Sequence, residues 1–225
     1  MTYRERPSTV AGATAWTRVA DGADAWILPD GCMDLIWDGT TLVTAGPDTG
    51  PHLSAAPVGT VFSALRFAPG TGAALVGTPA DAVRDQRVPI EELWGRAEVE
   101  ATVDRLQRED PVAVLEDVAA RRRRATAPDP LVAEVVRLSE AGRPVAEIAD
   151  TVGIGERQLH RRSLAAFGYG PKVLGRILRL QRALALARGG APLAAAAADA
   201  GYADQAHLSR EVRTLGGASL RELAG

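Results

Sequence analysis

With a single cysteine, Cys32, the chain cannot form an intramolecular disulfide, and it suits a reducing compartment. Long apolar runs are missing as well. No stretch approaches the roughly 18 residues that a bilayer requires, and the opening MTYRERPST lacks the apolar core of a signal peptide. A cytoplasmic protein with no membrane partner is expected. Histidine is scarce and scattered, no Gly-rich phosphate loop is present, and no serine stands with His and Asp in a catalytic setting. Neither a catalytic set nor a cofactor is expected, and the spacing of Cys32, Asp34, Asp48 and His52 is not that of a metal site. Lysine is almost absent, with Lys172 alone beside 25 arginines, which reads as base-composition bias.

What is present is unevenly placed. Residues 1–120 carry 9 Lys or Arg against 18 Asp or Glu, while residues 121–225 carry 17 against 10. The overall charge of -2 therefore hides an acidic first part and a basic second part, and only the second suits a polyanion.

Up to Ala97 the texture is that of short strands between turns. Thr14 to Val19, Ala25 to Leu28, Cys32 to Trp37, Thr41 to Ala45 and Val58 to Ala68 are strand candidates. Met33, Leu35 and Trp37 alternate onto one face, and Asp38-Gly39 is a two-residue hairpin signal. Gly46 to Pro57 is expected to be loop. Trp16, Trp26, Trp37 and Phe67 are expected in a core. Short helices are expected at Thr71 to Val76, Pro79 to Arg84 and Pro89 to Trp94, then longer ones at Glu98 to Gln107 and Val112 to Arg124. The run Arg121 to Arg124 closes the last of these as a solvated face. Ala125 to Pro130, ATAPDP, is the best linker candidate.

Helical spacing dominates the remainder. Asp129 to Ala141 is amphipathic; Val145 to Phe167 and Pro192 to Leu215 are two similar helix-turn-helix units about 47 residues apart. In the first, Leu159 points inward while Arg157, His160 and Arg161 occupy the free sector of the second helix. In the other, Leu208, Val212 and Leu215 face inward, with Ala206, Ser209, Arg210 and Arg213 outward, Gln205 and His207 at the edge, and Asp204 as N-cap. Exposed arginines on a helix behind a tight turn have the chemistry of a major-groove reader, since a guanidinium can bond guanine O6 and N7 together. Pro171 to about Arg188 forms the helix between the units, with a basic stripe of Lys172, Arg176 and Arg179; at 1.5 Å per residue it is about 27 Å long. That length could set the reading helices one DNA turn apart, roughly 34 Å.

These residues carry a family resemblance. Ala149, Gly153, Arg157-Gln158-Leu159, Arg161-Arg162, Gly168, Pro171, Arg179 to Ala183, Gly201-Tyr202, Asp204-Gln205, His207 to Glu211 and Gly216 together resemble the AraC/XylS family of bacterial transcription regulators, from about Leu131 to Leu223. Ser163 and Val212 stand where that family has aromatics, Gly155 where it has an N-cap serine, and Leu220 where it has proline. The first half is similar to a domain of unknown function found ahead of such regulators, through Pro29-Asp30-Gly31-Cys32, Asp34-Leu35, Arg66-Phe67, Pro69-Gly70 and Pro89 to Trp94.

The resemblance implies an α+β first domain (1–96; a cupin-like barrel or sandwich with short helices), a helical connector (97–127) and an all-α domain (128–225) with two helix-turn-helix units on a long helix. It implies base contacts from Arg157, His160 and Arg161 in the first unit and from Gln205, Ala206, His207, Ser209 and Arg210 in the second. The implied partners are double-stranded DNA, a small-molecule effector, a second copy of the chain and, for an activator, RNA polymerase. Arg162 and Arg182 are expected to be structural or to position phosphates. Two alternatives stay open for the first half: Cys32 as an alkyl-accepting or redox-responsive thiol, and a purely dimerising module. The light side chains at Val212 and Ala194 to Ala198 predict a loosely held second reading helix.

Overall fold

The computed structural model describes residues 2–23, 25–125 and 129–224; the centre of the expected linker lies outside them. The strands are β1 (Thr2–Pro7), β2 (Ala13–Val19), β3 (Ala25–Ile27), β4 (Met33–Trp37), β5 (Leu42–Ala45), β6 (His52–Ser54), β7 (Val61–Phe67) and β8 (Arg87–Pro89). Six form an antiparallel sheet in the order β1-β2-β7-β4-β5-β8, and β3 pairs with β6 as a separate ribbon, giving a sandwich-like domain. The β4–β5 hairpin turns at Gly39, whose φ of 95° suits glycine, while the Asp38 carboxylate accepts from the Thr40 and Thr41 amides.

The outermost strands escaped the hydrophobic pattern. β1 is an exposed edge strand rich in charge, paired only on its β2 side, so it needs no apolar alternation. β6 and β8 have three residues each, too few to show a period, and β6 interrupts the Gly46 to Pro57 stretch expected to be loop. Trp26 is a further correction: on the ribbon, paired with Leu53, it is 56% exposed.

Met33, Leu35 and Trp37 are buried together, as their alternation predicts. On that face of the sheet lie α1 (Gly72–Val76) and α3 (Pro111–Arg124), with α2 (Arg96–Leu106) packed on α3 and sharing the same core. Val114, Leu115 and Val118 of α3 pack in one core with Leu65 and Phe67. Between α1 and α2, the expected helices at Pro79 to Arg84 and Pro89 to Trp94 are single 3-10 turns, Ala80–Ala82 and Ile90–Glu92. The basic run is not simply a solvated face. Arg122 lies 4.2 Å over the Trp94 ring, bonds the Leu75 carbonyl and pairs with Glu98.

The second domain comprises α4 (Pro130–Glu140), α5 (Val145–Thr151), α6 (Glu156–Phe167), α7 (Pro171–Arg188), α8 (Leu193–Asp199), α9 (Gln205–Gly216) and α10 (Leu220–Ala224). Its core is built around α7, with Leu174, Ile177, Leu180, Ala183 and Leu184 fully buried. Pro130 and Pro171 open their helices at the first turn, where a missing amide costs nothing, and Asp129 caps α4 through the Leu131 amide.

Candidate nucleic-acid interface

The two reading helices are each preceded by a short helix and a left-handed glycine. α5 leads through Gly153 (φ 71°) into α6, and α8 leads through Gly201 (φ 83°) into α9. Only such a backbone reverses the chain this tightly without strain.

On α6, Arg157, His160 and Arg161 are all exposed, opposite the buried Leu159. On α9, Gln205, Ala206 and Arg210 are exposed, whereas His207 and Ser209 are half-buried. The latter two are partly committed: His207 stands edge-on to Tyr202 at 5.2 Å, and the Ser209 hydroxyl donates to the Gln205 carbonyl. His160 rests against the start of α7, where a Cβ on Gly170 would lie 2.5 Å from its Nδ1. Among the described residues, Arg157, Arg161 and Arg210 have no ion pair. Arg213 is exposed one turn beyond Arg210, on the same outward face, and was not counted among the expected readers.

Other arginines are spent inside the domain. The stripe expected along α7 is a clamp: Arg176 donates two bonds to the Glu211 carboxylate, at 2.8 and 3.0 Å. Arg179 approaches the same carboxylate at 3.6 Å and lies 4.5 Å over the Tyr202 ring. The hydrogen bond from Arg176 holds the Glu211 carboxyl below the usual glutamate range. Asp204 caps α9 by accepting from the His207 amide at 2.6 Å. The second unit, expected to be loosely held, is thus tied to α7 by charge, with Val212 fully buried beside the clamp. Arg162 pairs with Asp129, the α4 cap, in the structural role expected of it.

The first domain is seated on both units. Beyond α6, the Arg84 guanidinium donates to the Gly168 carbonyl at 2.9 Å, and a Cβ on Gly168 would come within 2.6 Å of Pro47. Beyond α9, a Cβ on Gly217 would lie 3.0 Å from Pro51. The Pro29 carbonyl accepts from Gln181 of α7, and Gly31 faces Leu174. Gly70 is packed so closely that a Cβ would lie 2.3 Å from Val132 and 2.5 Å from Phe167. The Pro29 to Cys32 and Pro69-Gly70 motifs therefore build the joint between the domains.

Next to that joint, Arg66 approaches both Asp30 and Asp34, at 3.4 and 3.5 Å, and Trp16 Nε1 donates to Asp34. Burial pushes the Asp34 carboxyl up to about 6 against the opposing pull of Arg66. Cys32 shares this surrounding, and burial together with Asp30 and Asp34 pushes its thiol well above the ordinary range. An acceptor thiol works as the thiolate, which burial and two carboxylates disfavour, so these surroundings give the alkyl-acceptor and redox readings of Cys32 no support. Asp48 is paired to Arg87 by two bonds.

Residues 148–224 match a helix-turn-helix domain model, of the AraC type, and residues 13–89 match a domain of unknown function. No curated protein matches the sequence. Among solved structures the chain is similar to ToxT from Vibrio cholerae. An apo variant of ToxT is 9% identical over 97% of this chain and 98% of that one, with a TM-score of 0.50. A wild-type ToxT bound to an unsaturated fatty acid is also 9% identical, over 94% of each chain, with a TM-score of 0.50. At that identity the shared property is the fold.

Proposed function

The chain carries an AraC-type helix-turn-helix domain behind a sandwich-like domain, and from that premise we propose that it is a transcription regulator reading two successive major grooves with α6 and α9. The observation that carries this reading is the free state of Arg157, Arg161 and Arg210. Three guanidiniums without an ion pair among the described residues face outward on the second helices of two like units, while Arg162, Arg176 and Arg179 are engaged within the domain. Gln205 and Arg213 extend the second reading face. His160, His207, Ser209 and Ala206 shape the two surfaces and limit which base edges fit against them.

The first domain is the regulatory part, responding to a small molecule and joining a second copy of the chain; an activator would also contact RNA polymerase. The fatty acid held by ToxT supports a small-molecule effector. Selection of bound duplexes from a random library with the ligand-free full chain supplies the operator. On that operator Arg161→Ala and Arg210→Ala should each weaken binding about tenfold and relax preference in one groove each. Uniform weakening over all sequences would reassign the residue to phosphate contact, and absence of any selected duplex would overturn the reading. Affinity should fall steeply with salt.

A further inference from the structure

A cleft of about 740 Å³ opens between the two domains, within the roughly 300–1,000 Å³ typical of small-molecule sites. One wall is Pro69, Ala73 and Leu75, from the end of the sheet and α1; the other is Val132 and Val136 of α4 with Ala166 of α6. The lining is mostly apolar, and small side chains keep it open.

Its charged groups are not equivalent. Arg162 is taken by Asp129, and Glu140 is exposed at the rim. Arg123, in the last turn of α3, is half-buried and has neither an ion pair nor a side-chain hydrogen bond among the described residues. Of the others in the run, Arg121 pairs with Asp117 and Arg122 with Glu98, while Arg124 is exposed and outside the cleft lining. A partly desolvated guanidinium beside an apolar wall lacks an anion, and a carboxylate fits its planar fork with two parallel bonds.

We propose that this cleft binds a small amphiphile with one carboxylate, the head group on Arg123 and the apolar body between Leu75 and Val136. The proposal rests on the effector-controlled reading above and locates the effector site at the domain joint. The sheet's helix-covered face offers no comparable space, being filled by Phe67, Leu115 and Val118. One wall is the back of α6, whose front carries Arg157 and Arg161. A ligand that prefers one seating of the two domains must then change DNA affinity, and DNA must change ligand affinity by the same factor.

Titration calorimetry of the full chain with decanoate, decanol and decylamine tests this. Decanoate should bind at one site, with decanol and decylamine at least tenfold weaker. Arg123→Gln should weaken decanoate tenfold or more, and Ala133→Trp, which fills the cleft from an exposed position on α4, should abolish its binding. Arg121→Gln is the control and should leave it unchanged; thermal melts of all variants report folding. Should Ala133→Trp fail to fold, Arg123→Gln decides alone. Absence of decanoate binding, unchanged affinity in Arg123→Gln, or decylamine binding as tightly as decanoate overturns the proposal. The duplex selection uses no ligand, so a chain that binds duplex but not decanoate overturns the cleft alone. One that binds decanoate but no duplex overturns the regulatory reading alone.

Discussion

The two reading helices look alike in sequence and are held in opposite ways. α9 carries its own supports: the Asp204 cap at its start, and Glu211 gripped by Arg176 and Arg179 in its middle. α6 has neither. Gly155 offers no side chain to cap it, and Ser163, buried where the AraC/XylS family places an aromatic, has a hydroxyl without a partner among the described residues. What α6 has instead is a neighbour. The 3-10 turn at Ala80–Ala82, Arg84, Gly70 and Pro47 all press against its C-terminal end. The first unit leans mainly on the sandwich-like domain, and the second mainly on its own domain's charges.

Substitutions at these supports test the contrast. The largest effect is expected at the αL glycines that close the two helices. Gly168→Val introduces a β-branched residue at φ 80° and drives it against Pro47 and the Ala80 carbonyl, so chemical denaturation should show a loss of about 3 kcal/mol. Gly217→Val meets only the Pro51 ring and should cost less, about 1–2 kcal/mol. Equal losses would erase the asymmetry.

The clamp comes next. Glu211→Gln should destabilise by about 2 kcal/mol, moderated because both arginines are one-third exposed, and hydrogen exchange should quicken in α9 before α6. Because the folded-state pKa of Glu211 is depressed, its contribution is complete above the unfolded value near 4.5 and is lost as pH falls through the lower folded value. Acid should therefore loosen α9 more in the wild type than in Glu211→Gln, which two-dimensional NMR across pH 5 to 3 would follow, with pH values set at about 0.5 intervals.

The smallest effects concern the helix starts. Asp204→Ala should cost about 1 kcal/mol, whereas Gly155→Ser should add only a few tenths, since a Cβ there meets nothing within 4 Å and the backbone is already extended. Thermal melts resolve both if the change at Gly155 is compared with the wild type in the same buffer.

Much of this was legible in the sequence because the signals were local. Period 3.6 drew the helices of the second domain up to α9 but not the short α10, glycine and proline punctuated it, and strict alternation marked β4 and its buried face. The edge strand β1 stayed hidden because an edge pairs through its backbone and asks little of its side chains. β6 and β8 were too short to declare a period. Long-range charge was the larger blind spot. Arg176 and Arg179 read as a free basic stripe because Glu211, 35 and 32 residues on, lies beside them only once α7 and α9 have packed. The same holds for Arg162 with Asp129 and for Arg122 over Trp94. The outward arginines were legible for the complementary reason: nothing folds back onto them.

The stretch from Gly46 to Pro51 spans six residues and touches the end caps of both reading helices, Pro47 at Gly168 and Pro51 at Gly217. It lies against both ends at once. If α6 and α9 read a duplex as proposed, the interval between them is partly set by a loop of the other domain. A lineage could retune operator spacing by editing that loop while leaving every base-facing side chain untouched.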